Sequence, residues 1–102
     1  MFKSDRYGIE TEGVKLYVII VYDIGIERLN KVRIFLKQYL NWVQNSVLEG
    51  ELTKAEYMLV LSRLKELIDP DEDCIFCYHV RDQKFLGFDE LGTRKAEIDT
   101  II

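Results

Sequence analysis

A long apolar run that ends in a carboxylate constrains the fold of this chain more than any other feature. The residues from Leu16 to Tyr22 read Leu-Tyr-Val-Ile-Ile-Val-Tyr, and the run stops at Asp23. Because successive side chains of a strand point to opposite faces of a sheet, the run predicts a central β-strand with two apolar faces. Both faces need a covering layer, and Asp23 lies where the strand should end and the chain should turn toward a helix.

The amino-acid composition indicates a single small domain. With 102 residues, 48% of them apolar, the chain can bury a modest core, and a sheet with two apolar faces indicates that a second copy completes the burial. The net charge of -4 argues against a generally basic nucleic-acid-binding surface. No apolar stretch approaches the roughly 20 residues of a membrane span. We therefore expect a soluble, cytoplasmic protein with no membrane partner.

The order of the predicted elements indicates an α+β fold. An N-terminal extension (residues 1–13) precedes one domain (residues 14–102), in which helical spacing over residues 27–40 follows the first strand. A second strand region is broken near Gly50, and Thr53 with Glu56 forms a capping box that starts a second helix. That helix ends before a proline, and the segments that follow it predict strands that could form a hairpin, residues 74–80 and 84–88.

These elements predict a ferredoxin-like βαββαβ sandwich with an additional C-terminal strand over residues 96–102. Two helices would cover one face of an antiparallel sheet and leave the other face apolar and open. An open apolar face of that size predicts a homodimer formed through the sheet face. The pattern does not decide whether the C-terminal strand pairs within its own chain or across the dimer.

Two segments carry a resemblance to a known family. They are residues 17–24, Tyr-Val-Ile-Ile-Val-Tyr-Asp-Ile, and residues 43–52, Val-Gln-Asn-Ser-Val-Leu-Glu-Gly-Glu-Leu, with a helix between them and the capped helix after them. In this arrangement the chain resembles the CRISPR-associated protein 2 family. The sequence departs from the family pattern at Trp42, Asn45 and Leu48, where Arg, an aromatic residue and Phe, respectively, are common.

The resemblance implies a homodimer that works in CRISPR spacer acquisition, bridging integrase subunits and contacting DNA. It also implies that Asp23 binds Mg²⁺ across the dimer axis, which makes Asp23 the candidate catalytic and metal-binding residue for cleavage of RNA or DNA. Tyr22 and Ser46 fall within the two motifs and are candidate supporting residues. Two rival interpretations stay open: a catalytically inactive adaptor of the acquisition complex, and an unrelated ferredoxin-like regulatory dimer.

Taken without the resemblance, the residues leave two interpretations of Asp23 open. One carboxylate per chain cannot hold Mg²⁺, which prefers octahedral oxygen ligands and keeps several waters, but two copies facing each other across a two-fold axis could share one ion. The alternative is a turn or N-cap aspartate that accepts amide hydrogen bonds near Gly25 and Ile26.

The first predicted helix is locally basic within an acidic protein. Its cations are Arg28, Lys31, Arg33 and Lys37, opposed by Glu27. They are candidate nucleic-acid-binding residues that would contact phosphates, and the alternative is an ordinary solvated helix face.

Cysteine, histidine and serine residues offer weaker signals. Cys74 and Cys77 have the spacing of a zinc or redox pair, but positions three apart on a strand point to opposite faces. Cys77 and His79 share a face, so a dimer could in principle assemble four zinc ligands, whereas the simpler interpretation is buried thiols and an ordinary histidine. With one histidine in the chain, Ser46 has no visible base, which argues against a catalytic triad.

Overall fold

The computed structural model describes residues 13–93 of the chain. The regular elements are β1 (Lys15–Asp23), α1 (Ile26–Lys37), β2 (Asn41–Gln44), β3 (Val47–Thr53), α2 (Lys54–Leu67) and β4 (Cys74–Val80). A short 3₁₀-helix, Gln83–Phe85, follows β4. The elements from β1 to β4 therefore occur in the predicted βαββαβ order. None of the helices in the described part is long and apolar enough to cross a membrane.

The four strands form one antiparallel sheet in the order β2-β3-β1-β4. β1 is central, as its apolar run predicts: Val18 pairs with Gly50 of β3 on one side and with His79 of β4 on the other. This strand order, with both helices on one face, confirms the predicted ferredoxin-like sandwich. It also brings the end of β1 and the start of β4 together at one end of the sheet.

The core lies between the sheet and the two helices. Alternate residues of β1 are buried there, as strand geometry requires. They pack with residues of both helices and of β3, and the buried set is Val18, Ile20, Tyr22, Val32, Leu36, Leu40, Leu48, Leu52, Tyr57, Val60 and Leu64. The helix face of the sheet is thus covered as predicted.

The opposite face of the sheet is also apolar. Tyr17, Ile19 and Val21 alternate with the buried residues of β1 and lie on this face. Phe76 and Tyr78 of β4 continue it and are 56% and 58% exposed, with their rings stacked at a centroid separation of 6.4 Å. The prediction of two apolar faces is confirmed, and the second face retains exposed aromatic surface within one chain.

The predicted capping box is present at the start of α2. The Thr53 hydroxyl accepts from the Glu56 amide at 3.0 Å, and the Glu56 carboxylate accepts from the Thr53 amide at 2.9 Å. Each bond satisfies a donor that the first turn of a helix leaves without an intrahelical partner. α2 ends at Leu67, shortly before Pro70, which cannot continue a helix.

Two predicted details are wrong. The strand region does not break near Gly50; the chain turns at Asn45, whose φ is +43°, a conformation that asparagine tolerates. Gly50 instead lies within β3, where a Cβ would meet the Leu40 Cδ2 at 3.1 Å. Residues 84–88 do not form a hairpin strand, because Asp82 accepts from the Lys84 amide at 3.0 Å and starts the 3₁₀-helix.

Other predictions concern the ends of elements and of the chain. α1 spans Ile26–Lys37, so it stops three residues short of the predicted limit at residue 40. The predicted C-terminal strand over residues 96–102 lies outside the described residues, as does nearly all of the predicted N-terminal extension.

Candidate active site

Asp23 is the last residue of β1 and is exposed. It pairs with Cys74, the first residue of β4. Between residues 13 and 93, no side chain or amide hydrogen-bonds or forms an ion pair with its carboxylate. The apolar run of β1 thus delivers an unpartnered anionic group to one end of the sheet.

A different carboxylate satisfies the start of α1. The N-cap residue of this helix is Gly25, which has no side chain to offer. The Gly25 amide donates to Asp73 Oδ1 at 2.8 Å, so Asp73 fills the role that the cap interpretation gave to Asp23.

Asp73 is the centre of a buried hydrogen-bond network. Arg28 donates to both of its oxygens, from Nε at 2.6 Å and from Nη2 at 2.9 Å, and the Asp69 amide donates at 2.8 Å. The Arg28 guanidinium, together with the amides of Asp69 and Gly25, holds the pKa of the Asp73 carboxyl well below its usual range, although burial opposes this shift. The same pairing raises the pKa of Arg28.

The sequence interpretation missed this role of Asp73. Residues 71–73 read as Asp-Glu-Asp and predict a solvated acidic connection, yet Asp73 is only 8% exposed. The available signal was indirect: the N-cap residue of α1 is a glycine, and the topology places the start of β4 beside the end of β1. Because a glycine side chain cannot cap the helix, an acidic residue near the start of β4 could have been predicted to accept from the amides at the start of α1.

Tyr22 and Ser46 lie at the same end of the sheet as Asp23. Tyr22 is a core residue, only 4% exposed, and its amide donates to the Ser46 carbonyl at 3.0 Å. Its hydroxyl reaches the Asn45 carbonyl at 3.5 Å. Burial raises the pKa of the Tyr22 hydroxyl, and the nearby Arg33 charge partly opposes that shift. The two motif residues are therefore joined through the β2–β3 turn.

The four cations of α1 do not form one patch. Arg28 is bound to Asp73 beside β4, whereas the Lys37 ammonium lies 5.7 Å from the ring centroid of Trp42 on β2. β2 and β4 are the opposite edges of the sheet, so the helix presents its cations to two different sides. Lys31 is exposed, and the half-buried Arg33 has a buried Nε with no hydrogen-bond partner in residues 13–93.

The cysteines and the histidine do not assemble a metal site in the described chain. Cys74 is exposed, contrary to the buried-thiol interpretation, while Cys77 is half-buried and burial raises the pKa of its thiol. His79 packs edge-on against the Tyr57 ring at 5.3 Å. Within residues 13–93 no three His, Cys, Asp or Glu side chains are grouped to hold a metal ion. A metal at Asp23 would need further ligands from water or another copy.

The fold and this carboxylate define a class of small ferredoxin-like proteins with an exposed acid at the end of the first strand. A family model described as "CRISPR associated protein Cas2" matches residues 16–86. The chain belongs to this family, as its two sequence motifs indicate. The interpretation as an unrelated regulatory dimer is therefore wrong.

Curated relatives and solved structures agree with the family assignment. The chain is 61% identical over 87 residues to "CRISPR-associated endoribonuclease Cas2" of Methanosarcina acetivorans, covering 85% of this chain and 100% of the relative. It is 45% identical, with the same coverage, to the protein of that name from Pyrococcus furiosus. A crystal structure of Cas2 matches with a TM-score of 0.72 and 42% identity over 79% of this chain and 91% of that one. Streptococcus pyogenes Cas2 matches with a TM-score of 0.64 and 31% identity, over 74% and 99% of the two chains.

Proposed function

We propose that this chain is a magnesium-dependent endoribonuclease of a CRISPR system, and that two copies contribute one Asp23 each to its active site. The observation that carries the proposal is the carboxylate of Asp23, which has no hydrogen-bond or ion-pair partner among residues 13–93. Asp73 accepts from the Gly25 amide, and no group in the described part of the chain occupies the oxygens of Asp23. The relatives from Methanosarcina acetivorans and Pyrococcus furiosus are named endoribonucleases, which supports this activity.

The open face of the sheet supports the homodimer that this site needs. It carries Phe76 and Tyr78, both more than half exposed, beside the apolar residues of β1. A contiguous apolar surface on a small protein favours association, and a two-fold axis lets one surface cover its own copy. Asp23 lies at the end of the strand that contributes to this face, so a dimer can bring the two carboxylates into one site.

The donor chemistry of Asp23 fits Mg²⁺, which prefers hard oxygen ligands and retains several waters. When bound, the ion would polarise a phosphodiester and lower the pKa of a water. The chain's own residues would hold the ion through Asp23 and contact substrate phosphates through Arg33, Lys37 and Lys31. Tyr22 and Ser46 would support the site by fixing the β2–β3 turn beside β1.

A nuclease assay tests the proposal. Metal-free protein is titrated with Mg²⁺ on labelled RNA and on duplex DNA, beside Asp23→Asn and beside Asp71→Asn as a matched control. Asp71 is an exposed acid in the turn before β4. Substitutions of groups that orient a metal ligand lower activity by up to about 100-fold, and we expect the loss of the ligand in Asp23→Asn to lower RNA cleavage by more than that. Asp71→Asn should cleave RNA like the wild type. Asp23→Asn protein that cleaves at the wild-type rate would contradict the proposal.

A second candidate function is that of an adaptor in spacer acquisition, bridging CRISPR integrase subunits and contacting DNA. The helix layer favours it, because Ile34, Met58 and Leu59 are exposed there by 56%, 56% and 49%. Apolar side chains on a surface other than the open sheet face are suited to a protein partner. Integrase binding by wild type and Asp23→Asn alike, with no cleavage by either, would favour the adaptor over the nuclease.

A further inference from the structure

Asp73 is a buried carboxylate outside both sequence motifs. Between residues 13 and 93 no other charged residue is buried, and the Asp73 side chain has no exposed surface. Its oxygens accept from the amides of Gly25 and Asp69 and from Nε and Nη2 of Arg28. These bonds occupy the acceptor positions of both oxygens, so the group has a fixed orientation.

The bonds of Asp73 converge on the turn that follows Asp23. Gly25 lies two residues after Asp23, and Arg28 lies in the first turn of α1. On the other strand, Asp23 pairs with Cys74, the residue next to Asp73. The segment of residues 23–25 is therefore attached to the start of β4 twice, through the sheet at Asp23 and through a side chain at Gly25.

Close packing couples the Arg28 guanidinium to the same turn. A Cβ added at Gly25 would lie 2.5 Å from Arg28 Nη2 and 2.9 Å from Glu27 Oε1. The Gly25 φ of -58° is open to any residue, so the crowding at this position comes from the ends of these two side chains and not from the backbone. The Arg28 guanidinium therefore lies directly against the 23–25 turn, and a methyl group at position 25 would displace it.

We propose that Asp73 and Arg28 are positioning residues that hold the 23–25 turn and thereby keep Asp23 in place to bind Mg²⁺. The inference rests on the proposed function of Asp23. Groups that orient a metal ligand through hydrogen bonds alter metal affinity or activity by about 10-fold to 100-fold when they are changed. The Asp23 carboxylate itself has no partner in the described part of the chain. The orienting hydrogen bonds therefore act on the backbone two residues after Asp23, at the Gly25 amide.

The test compares Asp73→Asn with Glu72→Gln in the full chain. Glu72 is a matched control because it accepts from Arg28 Nη2 at 3.2 Å but is 63% exposed. Three quantities are measured: hydrogen exchange of the Gly25 amide, binding of Mn²⁺ as a probe of the Asp23 site, and kcat and KM for RNA cleavage. Asp23→Asn provides the baseline for Mn²⁺ bound elsewhere.

We expect Asp73→Asn to speed exchange at Gly25, to weaken Mn²⁺ binding and to lower kcat, the last two by about 10-fold to 100-fold. KM should stay within about two-fold of the wild type, since phosphate contacts are not disturbed. Glu72→Gln should match the wild type in all three. If Asp73 only stabilised the fold, Asp73→Asn would lower the melting temperature but would not lower kcat selectively while leaving KM unchanged.

If Asp73→Asn does not fold, Gly25→Ala decides the question, because it keeps both charges and displaces the guanidinium. The same changes in Gly25→Ala as expected for Asp73→Asn would support the inference. A folded variant with wild-type Mn²⁺ binding and kcat would overturn it and leave the proposed function intact. Wild-type protein that neither binds Mn²⁺ at Asp23 nor cleaves RNA would overturn both.

Discussion

The two helices of this chain begin in different ways. α2 is capped by its own residues, since Thr53 and Glu56 exchange hydrogen bonds at 3.0 and 2.9 Å. α1 begins at Ile26, and the amide of its N-cap residue, Gly25, donates to Asp73, 48 positions away in the sequence. The local cap serves one helix, whereas the distant cap also joins α1 to the turn before β4.

The difference shows how a strand-end acid can be kept free. The residue just before a helix is where an aspartate commonly accepts amide hydrogen bonds. In this chain Asp73 accepts the Gly25 amide, and Asp23 ends β1 as an exposed carboxylate. The long-range contact to Asp73 thus leaves Asp23 available, and it requires a second carboxylate to be buried beside a half-buried arginine.

The largest expected effect tests whether the Asp23 carboxylates of two chains bind one metal ion. Wild-type and Asp23→Asn chains are unfolded and refolded together in varied ratios at constant total protein, and RNA cleavage is measured. If two Asp23 carboxylates share one ion, only dimers of two wild-type chains cleave, and activity falls as the square of the wild-type fraction. An equal mixture should then retain about one quarter of the activity.

Mixtures with Asp71→Asn serve as the control for refolding losses and should keep full activity. Activity that falls in direct proportion to the wild-type fraction would show that each chain acts alone. In that case Asp23 would bind the ion within a single chain. The role of the long-range cap in leaving Asp23 available would then be independent of dimer formation.

The next effect in size is a pH dependence of stability that we expect from the Asp73 cap of α1. Arg28 keeps the pKa of Asp73 well below its usual range in the folded protein. The resulting stability is fully present above the unfolded-state pKa of about 4, and it is lost as the pH falls from there toward the folded-state pKa. We expect the wild-type melting temperature to drop more steeply below about pH 4 than that of Asp73→Asn. Parallel profiles would mean that the ionised Asp73–Arg28 pair adds no stability near neutral pH that is lost in acid.

Local signals account for what the sequence could predict. The period of β1, the capping box at Thr53 and the terminator at Pro70 act over a few residues, and each occurs as predicted. The turn at Asn45 differs from the predicted break near Gly50 because glycine is the stronger turn signal, whereas Gly50 lies within β3, where an added Cβ would come within 3.1 Å of the Leu40 Cδ2. The role of Asp73 depends on a contact across 48 positions, and no local pattern distinguishes it from its solvated neighbours.

The smallest expected effect is at the local cap. Thr53→Ala removes the hydroxyl that accepts from Glu56 and should cost about 1 kcal/mol of unfolding free energy in urea. Mn²⁺ binding, Gly25 amide exchange and kcat should remain unchanged, because no bond of this cap reaches the 23–25 turn. Thr53→Ser, which restores an acceptor, should recover most of the stability. A Thr53→Ala protein that lost Mn²⁺ binding while folded would show that the start of α2 also positions Asp23, and the two helix starts would then differ in distance but not in role.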